Sequence, residues 1–527
     1  MRNSFFLVIP VQKNNPELLA SYEKEAINQW VEELPAANPS LSTRLIFDFI
    51  EGLIKLEMPV QQRLEALELI RPSFLFIEES LRARLIASGF PKGENEHKIF
   101  NVLSALEKNF TIGYWMVIRE LTRRDVGWFQ GKNTALAIQR TIKGLSEIVV
   151  THYMMFSPVP DWVWIDLHSL YKLSLKTKKE STKVAESTNL PSKTSTPEES
   201  YKQVLLLSLT DPSGLMQKEI GLVYKFIGKI CNLITIEQQP VDNQKVQCII
   251  LLDEDVKPYF ENAGDQADSH LMYLNLLKLY KEVQVHDKYS SADEFRFSSI
   301  HILKNTTEKM PASLFAYLID CWQAVECKGI SFFSDRLDRY IAIGLDATHA
   351  LQNTLDKREN GSIETLAESY SDRDLSCKFK NEGVLSIGSL VSFRKINEPE
   401  SKRVLGIVKK IIMPRQGDNI IFEMSAITHL SYAVGYINID DEIESEKHKA
   451  LLYGVKNTEG ERSYIIVESF MHKNEDVMRL FMNDNDFPIV LGNKKNIGLG
   501  YWQFECRQIE EKQIAQVVKR KKGYDFI

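Results

Sequence analysis

The hydrophobic period of this 527-residue chain changes near residue 340, and that change limits what the chain can become. Before it, apolar residues recur at helical spacing. Ile46, Phe49, Ile50 and Leu53 mark one helix face, followed by Leu64, Leu67 and Ile70 up to Pro72, where a break is expected. Leu103, Leu106, Phe110, Tyr114, Ile118 and Leu121 continue the pattern. Leu145, Ile148 and Val149, then Trp164, Leu167, Leu170 and Tyr171, extend it. After residue 340, short apolar runs separated by Gly, Asn and Asp clusters follow closely: 340–344, 377–379, 390–393, 404–412, 420–422, 464–467 and 501–504. Strands at this spacing favour a small barrel or a sandwich over a parallel sheet.

The expected class is therefore α+β and multidomain: a helical bundle or solenoid-like N-terminal region followed by an antiparallel β-barrel. No clean internal repeat decides between bundle and solenoid. The expected division is a helical domain over 1–175 and a polar linker or loop over 176–200. A second, mostly helical region follows over 201–330, then a barrel over 331–440. A β-rich extension with a terminal helix occupies 441–527. The linker rests on composition, because Lys, Ser, Thr and Glu cannot bury enough surface to offset their ordering entropy. Within 201–330, a β-like run is expected at 246–252 and helices at 270–283 and 312–325.

Charge and motifs exclude several function classes. A net charge of −6 and a pI near 6.0 disfavour a nucleic-acid polymer as partner, because binding one needs a basic surface. The cysteines at 231, 248, 321, 327, 377 and 506 form no Cys-x-x-Cys pair and suit a reducing, cytoplasmic location. The opening residues lack a secretory pattern, and no membrane span is expected. There is no Gly-x-Ser-x-Gly, Walker loop, His-Glu-x-x-His or kinase signature. An enzyme is not expected, nor is a metal or a cofactor. His168 reads as a core histidine, Asp253/Asp255 and Asp440/Asp441 as solvated surface, and Gly498-Leu499-Gly500 as a strand-entry turn.

One segment carries binding chemistry. Ser331-Phe332-Phe333-Ser334-Asp335-Arg336-Leu337-Asp338-Arg339-Tyr340 sets two arginines just before a strand. Asp374-Leu375-Ser376 opens a later one, and Arg403-Val404-Leu405-Gly406-Ile407-Val408-Lys409-Lys410 another. This order resembles the PilZ family of bacterial cyclic di-GMP receptors, in which an arginine-rich stretch precedes the first strand and a D/N-x-S-x-x-G motif follows. The chain is similar to a long proteobacterial subfamily with a helical N-terminal region and a C-terminal PilZ-like domain. That similarity extends over Leu34-Pro35-Ala36-Ala37-Asn38-Pro39, Trp164-Ile165-Asp166-Leu167-His168-Ser169-Leu170-Tyr171, Tyr201 to Pro212 and Gly344-Leu345-Asp346-Ala347-Thr348-His349.

The resemblance implies a non-enzymatic receptor for cyclic di-GMP acting through a protein partner on motility, pili or biofilm. It implies that Arg336 and Arg339 clamp the ligand while Asp374 and Ser376 hold a guanine. Arginine can grip phosphate or the O6/N7 edge of guanine with its planar fork. The spacing here is R-x-x-R rather than the family's R-x-x-x-R. Phe379 stands where the motif has glycine, a position where it would crowd a ligand. Those departures motivate the alternative of a degenerate PilZ-fold scaffold that binds protein partners without nucleotide, with Arg336 and Arg339 paired to Asp335 and Asp338 on an exposed turn.

Overall fold

The computed structural model describes residues 5–35, 37–123, 131–187, 190–262, 270–284, 294–325, 337–353, 363–442, 445–457, 460–483 and 485–514. The chain forms two compact units. One comprises Met1–Ser88, Glu94–Pro212 and Gln217–Cys327, the other Gly89–Gly93, Ser213–Met216 and Lys328–Ile527.

The first unit opens with α1 (Pro16–Ala20), α2 (Lys24–Glu32), α3 (Pro39–Lys55), α4 (Val60–Leu85), α5 (Glu94–Arg123), α6 (Gly131–Met154) and α7 (Val163–Thr177). Helix α3 starts where Asn38 accepts the Leu41 amide at 3.1 Å and Pro39 fills the first turn. It ends on the buried Arg63, whose guanidinium donates to the Leu53 and Leu56 carbonyls. The expected break at Pro72 does not occur, because α4 runs straight through it. Leu64, Leu67 and Ile70 before the proline, and Phe74, Ile77 and Leu81 after it, are all buried, and this packing outweighs one lost backbone bond. Helices α5 and α6 approach closely at Gly144, where a Cβ would lie 2.2 Å from Thr111 Oγ1.

Between α4, α5 and α6 lies a buried ion cluster. The Arg82 guanidinium donates to Glu107 Oε1 at 2.9 Å, Glu147 Oε2 at 2.6 Å and Thr151 Oγ1 at 3.0 Å, and stands 3.4 Å from Glu78 Oε1. Burial pushes the Glu107 carboxyl up to about 7 and that of Glu78 well above the ordinary range, with Arg82 opposing both.

The polar stretch expected as a linker is instead structured. Strands β1 (Val184–Ser187) and β2 (Leu190–Ser195) pair antiparallel, and α8 (Pro197–Ser208) follows at once. The physical cause is a capping box. Thr196 Oγ1 accepts the Glu199 amide at 3.1 Å, Glu199 Oε2 accepts the Thr196 amide at 2.9 Å, and Pro197 sits at the first position. The flanking regions 1–175 and 201–327 then form one unit rather than two. His168 is a core residue as expected, hydrogen-bonded to Tyr201 Oη at 2.6 Å and the Val256 carbonyl at 2.9 Å. Asp253 and Asp255 are not merely solvated. Asp255 accepts the Trp162 and Ile165 amides at the start of α7, and Asp253 pairs with Lys172 and His270.

Helix α9 (Gln217–Ile230) leads into a four-stranded sheet ordered β3 (Thr235–Glu237), β6 (Leu271–Asn275), β4 (Val246–Leu251), β5 (Tyr259–Asn262). The segment expected as a helix over 270–283 is thus strand then helix. Met272, Tyr273 and Leu274 are buried in succession on β6, and Asn275 Oδ1 accepts the Leu277 amide to begin α10 (Leu277–Gln284). A two-stranded β7 (Glu294–Arg296) and β8 (Lys309–Pro311) precede α11 (Ala312–Trp322). The Trp322 indole is fully buried and donates to the Leu206 carbonyl at 3.1 Å. No helix among the described residues is long and apolar enough to cross a membrane.

The second unit holds two closed antiparallel barrels, where the sequence reading expected one barrel and an extension. The first runs β9 (Arg339–Ile343), α12 (Leu345–Gln352), β10 (Thr365–Ser369), β11 (Asp374–Cys377), β12 (Leu390–Lys395), β13 (Val404–Ile412) and β14 (Ile420–Thr428). The second runs β15 (Tyr432–Asn438), β16 (His448–Asn457), β17 (Gly460–Val467), β18 (Val477–Met482), β19 (Asn485–Asn496) and β20 (Trp502–Gln508). They close in the orders β10-β11-β14-β13-β12-β9 and β15-β16-β17-β20-β19-β18. The boundary expected at 440 falls between Thr428 and Tyr432. The helical pattern at 509–522 is present at 511–514, and the remainder, with the basic tail, lies outside the described residues.

The two barrels share an apolar seam. Leu345 of α12, Leu390, Leu405 and Ile407 of the first barrel, and Leu451, Tyr453 and Ile466 of the second form one buried cluster. Helix α12 ties both together through Thr348 to Ser392 at 2.9 Å, His349 to the Val434 carbonyl at 3.1 Å and Gln352 to the Ser431 carbonyl at 3.1 Å. The Gly498–Gly500 turn completes the seam. The Leu499 amide donates to the Gly388 carbonyl at 2.8 Å, and a Cβ on Gly498 would come within 2.2 Å of that oxygen. Gly498→Ala is therefore expected to destabilise the second unit by about 1–3 kcal/mol, the cost of overpacking. Urea unfolding followed by circular dichroism reads this out, and an unchanged midpoint would mean that the seam yields.

Candidate ligand-binding face of the first barrel

Strand alternation assigns the polar residues of the first barrel to its two faces. On β11, Leu375 and Cys377 are buried in the interior, with Leu375 opposite Phe422, so Asp374 and Ser376 lie on the outer face. The turn before β11 presets Asp374. Ser371 Oγ accepts the Arg373 and Asp374 amides at 3.0 and 2.9 Å and donates to Asp374 Oδ2 at 2.7 Å. Ser376 Oγ accepts Asn419 Nδ2 at 3.2 Å. The structure thus brings Asp374 and Ser376 together on one face of β11, with Asp374 half-buried and Ser376 buried.

It does not bring Arg339 to them. Arg339 pairs across strands with Ala367 and Lys395, in the interior register that includes Ile341 and Phe393. It is 3% exposed and donates to the Leu337 carbonyl. Arg336 lies outside the described residues. Phe379 does not crowd the outer face as expected. It is 9% exposed and packs on the core side, its ring 6.1 Å from that of Phe422. Exchange of the motif glycine for phenylalanine therefore adds core contact and leaves the outer face clear.

The outer face carries a constellation the sequence reading passed over. Arg394 of β12 lies opposite Tyr340 of β9, its guanidinium 4.5 Å from the ring centroid. Its Nε donates to Glu364 Oε1 at 2.8 Å and its Nη2 to Glu364 Oε2 at 2.6 Å, a bidentate fork. The fully buried Arg403 shares the same Glu364 Oε1. It also donates to Ser392 Oγ at 2.7 Å and the Ser392 carbonyl at 3.1 Å. Burial alone would raise the Glu364 carboxyl, but the bonds from Arg394 and Arg403 hold it below its ordinary value. The Glu364 hydrogen bond raises Arg394, whereas burial lowers Arg403 despite the same carboxylate. The signal available in the sequence is a pair of arginines flanking the β12–β13 hairpin. Their shared carboxylate comes from another strand, and spacing does not reveal it.

Much of the outer face over β12 and β13 is covered by the second barrel through Leu390, Leu405 and Ile407. Across β10 it is more open, with Leu366 47% exposed. The stacked guanidinium of Arg394 and the Asp374–Ser376 pair lie three strands apart in the six-stranded ring, on opposite sides of the barrel. Among the described residues, no group of three His, Cys, Asp or Glu side chains could hold a metal ion.

Residues 25–241 match the family model described as the N-terminal domain of the cyclic-di-GMP receptor FimW. Over 148 residues the chain is 30% identical to the cyclic-di-GMP receptor FimW of Pseudomonas aeruginosa, an alignment covering 28% of this chain and 24% of that protein. The chain thus spans about a quarter of the length of that curated relative. Among solved structures, MrkH, titled a c-di-GMP dependence transcription regulatory factor, matches 36% of this chain and 83% of its own. The identity is 8% and the TM-score 0.14, a superposition too poor to support any conclusion.

Proposed function

We propose that this chain is a non-enzymatic, PilZ-like receptor for cyclic di-GMP that regulates surface behaviour, such as motility, pili or biofilm, through a protein partner. The observation that carries the reading is the match of residues 25–241 to the N-terminal domain family of a cyclic di-GMP receptor. The outer face of β11 supports it, because the half-buried Asp374 offers a short hydrogen-bonding carboxylate for a guanine edge, with the buried Ser376 beside it. On this reading Arg336 and Arg339 grip the ligand, Arg339 leaving the barrel interior to do so.

Isothermal titration of the full chain with cyclic di-GMP, with GTP as control, tests the proposal. Selective binding at about micromolar Kd or tighter is expected. The Arg336→Ala/Arg339→Ala double variant and Asp374→Ala should each weaken binding at least about tenfold, a loss near 1.4 kcal/mol. Absence of any heat or thermal shift with cyclic di-GMP would sink the receptor reading.

One observation favours a second reading, that of a ligand-free adaptor. Arg339 is buried on the face opposite Asp374 and Ser376, so forming the clamp requires it to leave the barrel interior. A protein partner whose capture is indifferent to added cyclic di-GMP would favour the adaptor.

A further inference from the structure

Beside the Arg82 cluster, α4, α5 and α6 line a cavity of about 40 Å³. That is room for about three waters at roughly 10–15 Å³ each. Glu78 and Glu107 line it, and each is more than nine-tenths buried. Each keeps one carboxylate oxygen, Glu78 Oε1 and Glu107 Oε2, that accepts no hydrogen bond among the described residues. Arg82 Nη2 stands 3.4 Å from Glu78 Oε1, an ion-pair contact without hydrogen-bond geometry. Buried acceptors of this kind call for a donor. Phe74, Leu75 and Phe110 add an apolar wall, the two phenylalanine rings stacked 4.0 Å apart. We propose that this cavity binds a small primary amine, its ammonium donating to Glu78 and Glu107 and its methylenes lying against the apolar wall. The inference goes beyond the receptor reading and is independent of it, since it involves neither barrel nor any nucleotide.

Charge and hydrogen bonding set the class of ligand. The cations at and around the cavity are Arg71, Arg82, Arg140 and Lys143. The carboxylates are Glu68, Glu78, Glu107, Glu147 and Glu186. Four positive charges against five negative leave −1, which one ammonium neutralises. The basic groups already have partners. Arg140 donates to Glu68 and the Ala185 carbonyl, Lys143 to Glu186, and Arg71 to the Glu186 carbonyl. Of the lining residues, only Glu78 and Glu107 hold buried side-chain atoms without a hydrogen bond, which selects a donor over an anion. Tyr114 donates to Glu68, and Tyr224 of α9 lies beside Glu147. Burial raises both phenols, so neither adds charge near neutral pH.

Size narrows the class further. An ammonium with two methylenes takes about the space of three waters. The rest of a longer chain runs out past Leu75, which is 36% exposed and marks the opening. Protons compete for the same oxygens. Burial pushes the Glu107 carboxyl up to about 7, so its charge is gained as pH rises through that value. An alkylamine, with a pKa of about 10 like that of lysine, stays charged throughout. Amine binding therefore strengthens from pH 6 to pH 8.

Thermal unfolding of the full chain, followed by far-ultraviolet circular dichroism, tests the inference with propylamine. A ligand this small is expected to bind at about millimolar Kd. At about 10 mM it should raise the midpoint of the helical unit by about 2 °C at pH 8, and by less at pH 6. Equal concentrations of tetramethylammonium, a cation without N–H donors, and of propanol, a chain without charge, should not produce that shift. Glu107→Gln should abolish it. If that variant fails to fold, Leu75→Trp, which blocks the opening, should abolish it instead. An equal shift with tetramethylammonium, or a shift retained in the folded variants, overturns the inference. So does a wild type that propylamine leaves unchanged at pH 8. None of these outcomes bears on titration with cyclic di-GMP, so the receptor reading stands or falls separately.

Discussion

Arg82→Met is expected to destabilise the helical unit by about 3–5 kcal/mol, because it leaves buried carboxylates without their cation. Arg82 is the hub of the cluster between α4, α5 and α6, and it donates to Glu107, Glu147 and Thr151. Methionine matches the volume of the aliphatic stem but supplies no donor. The loss should depend on pH, and the sign follows from Glu107. Its carboxyl is raised in the folded state from 4.5 to about 7 by burial, so the folded chain holds a proton that the unfolded chain has released. A group of this kind contributes stability in full below about pH 4.5, and that contribution is lost as pH rises through 7. The variant should therefore lie closer to wild type at pH 5 than at pH 8, because protonation spares it the uncompensated charge. Guanidinium unfolding at the two pH values measures the difference. Equal losses at both would show that Glu107 does not change its protonation between them.

Arg403→Met is expected to cost about 3 kcal/mol, at the low end for a broken buried ion pair because Glu364 keeps Arg394. The loss comes mainly from the Ser392 hydroxyl and carbonyl, which are sealed beneath α12 with the guanidinium as donor to both. Ser392→Ala should cost less and should not add fully to Arg403→Met, since both act on one network. Thermal unfolding of the single and double variants gives the coupling. Full additivity would mean that the network is not a unit.

The course of the chain was largely legible from its period, because helix and strand faces are written into the apolar spacing over 38–171 and after 340. What spacing alone misjudged has identifiable causes. The segment 176–200 is polar overall, yet Thr196, Pro197 and Glu199 encode a helix start that composition hides. Pro72 looks like a stop, but its neighbours' burial on both sides carries α4 through. The run at 271–274 is apolar at every position, which suits strand and helix equally until β4 is known to lie beside it. The second barrel was visible only as scattered strands, since nothing local tells the chain that β15 will close on β18.

For the candidate face, residue types were legible and directions were not. Asp374 and Ser376 are two apart, so their shared face follows from sequence. Whether Arg339 joins them depends on cross-strand register, which sets it with Ala367 in the interior. The bulk of Phe379 suggests an obstruction, and register turns it inward. The Glu364–Arg394–Arg403 triad joins residues 30 and 39 positions apart, a pairing that forms only when the barrel closes.

Closure also governs how the partner proposed above could be recruited. A strand with unpaired amides and carbonyls invites another chain to extend the sheet. Both barrels complete their hydrogen-bonding rings, so neither offers such a rail. Recognition there must proceed through side chains and turns, whose chemistry can be tuned one residue at a time. Among the described residues, the sheet ordered β3-β6-β4-β5 has open margins at Thr235–Glu237 and Tyr259–Asn262. Among the described residues, main-chain recruitment, indifferent to the partner's side chains, thus falls to the helical unit. Sequence-selective recruitment is the mode left to the barrels.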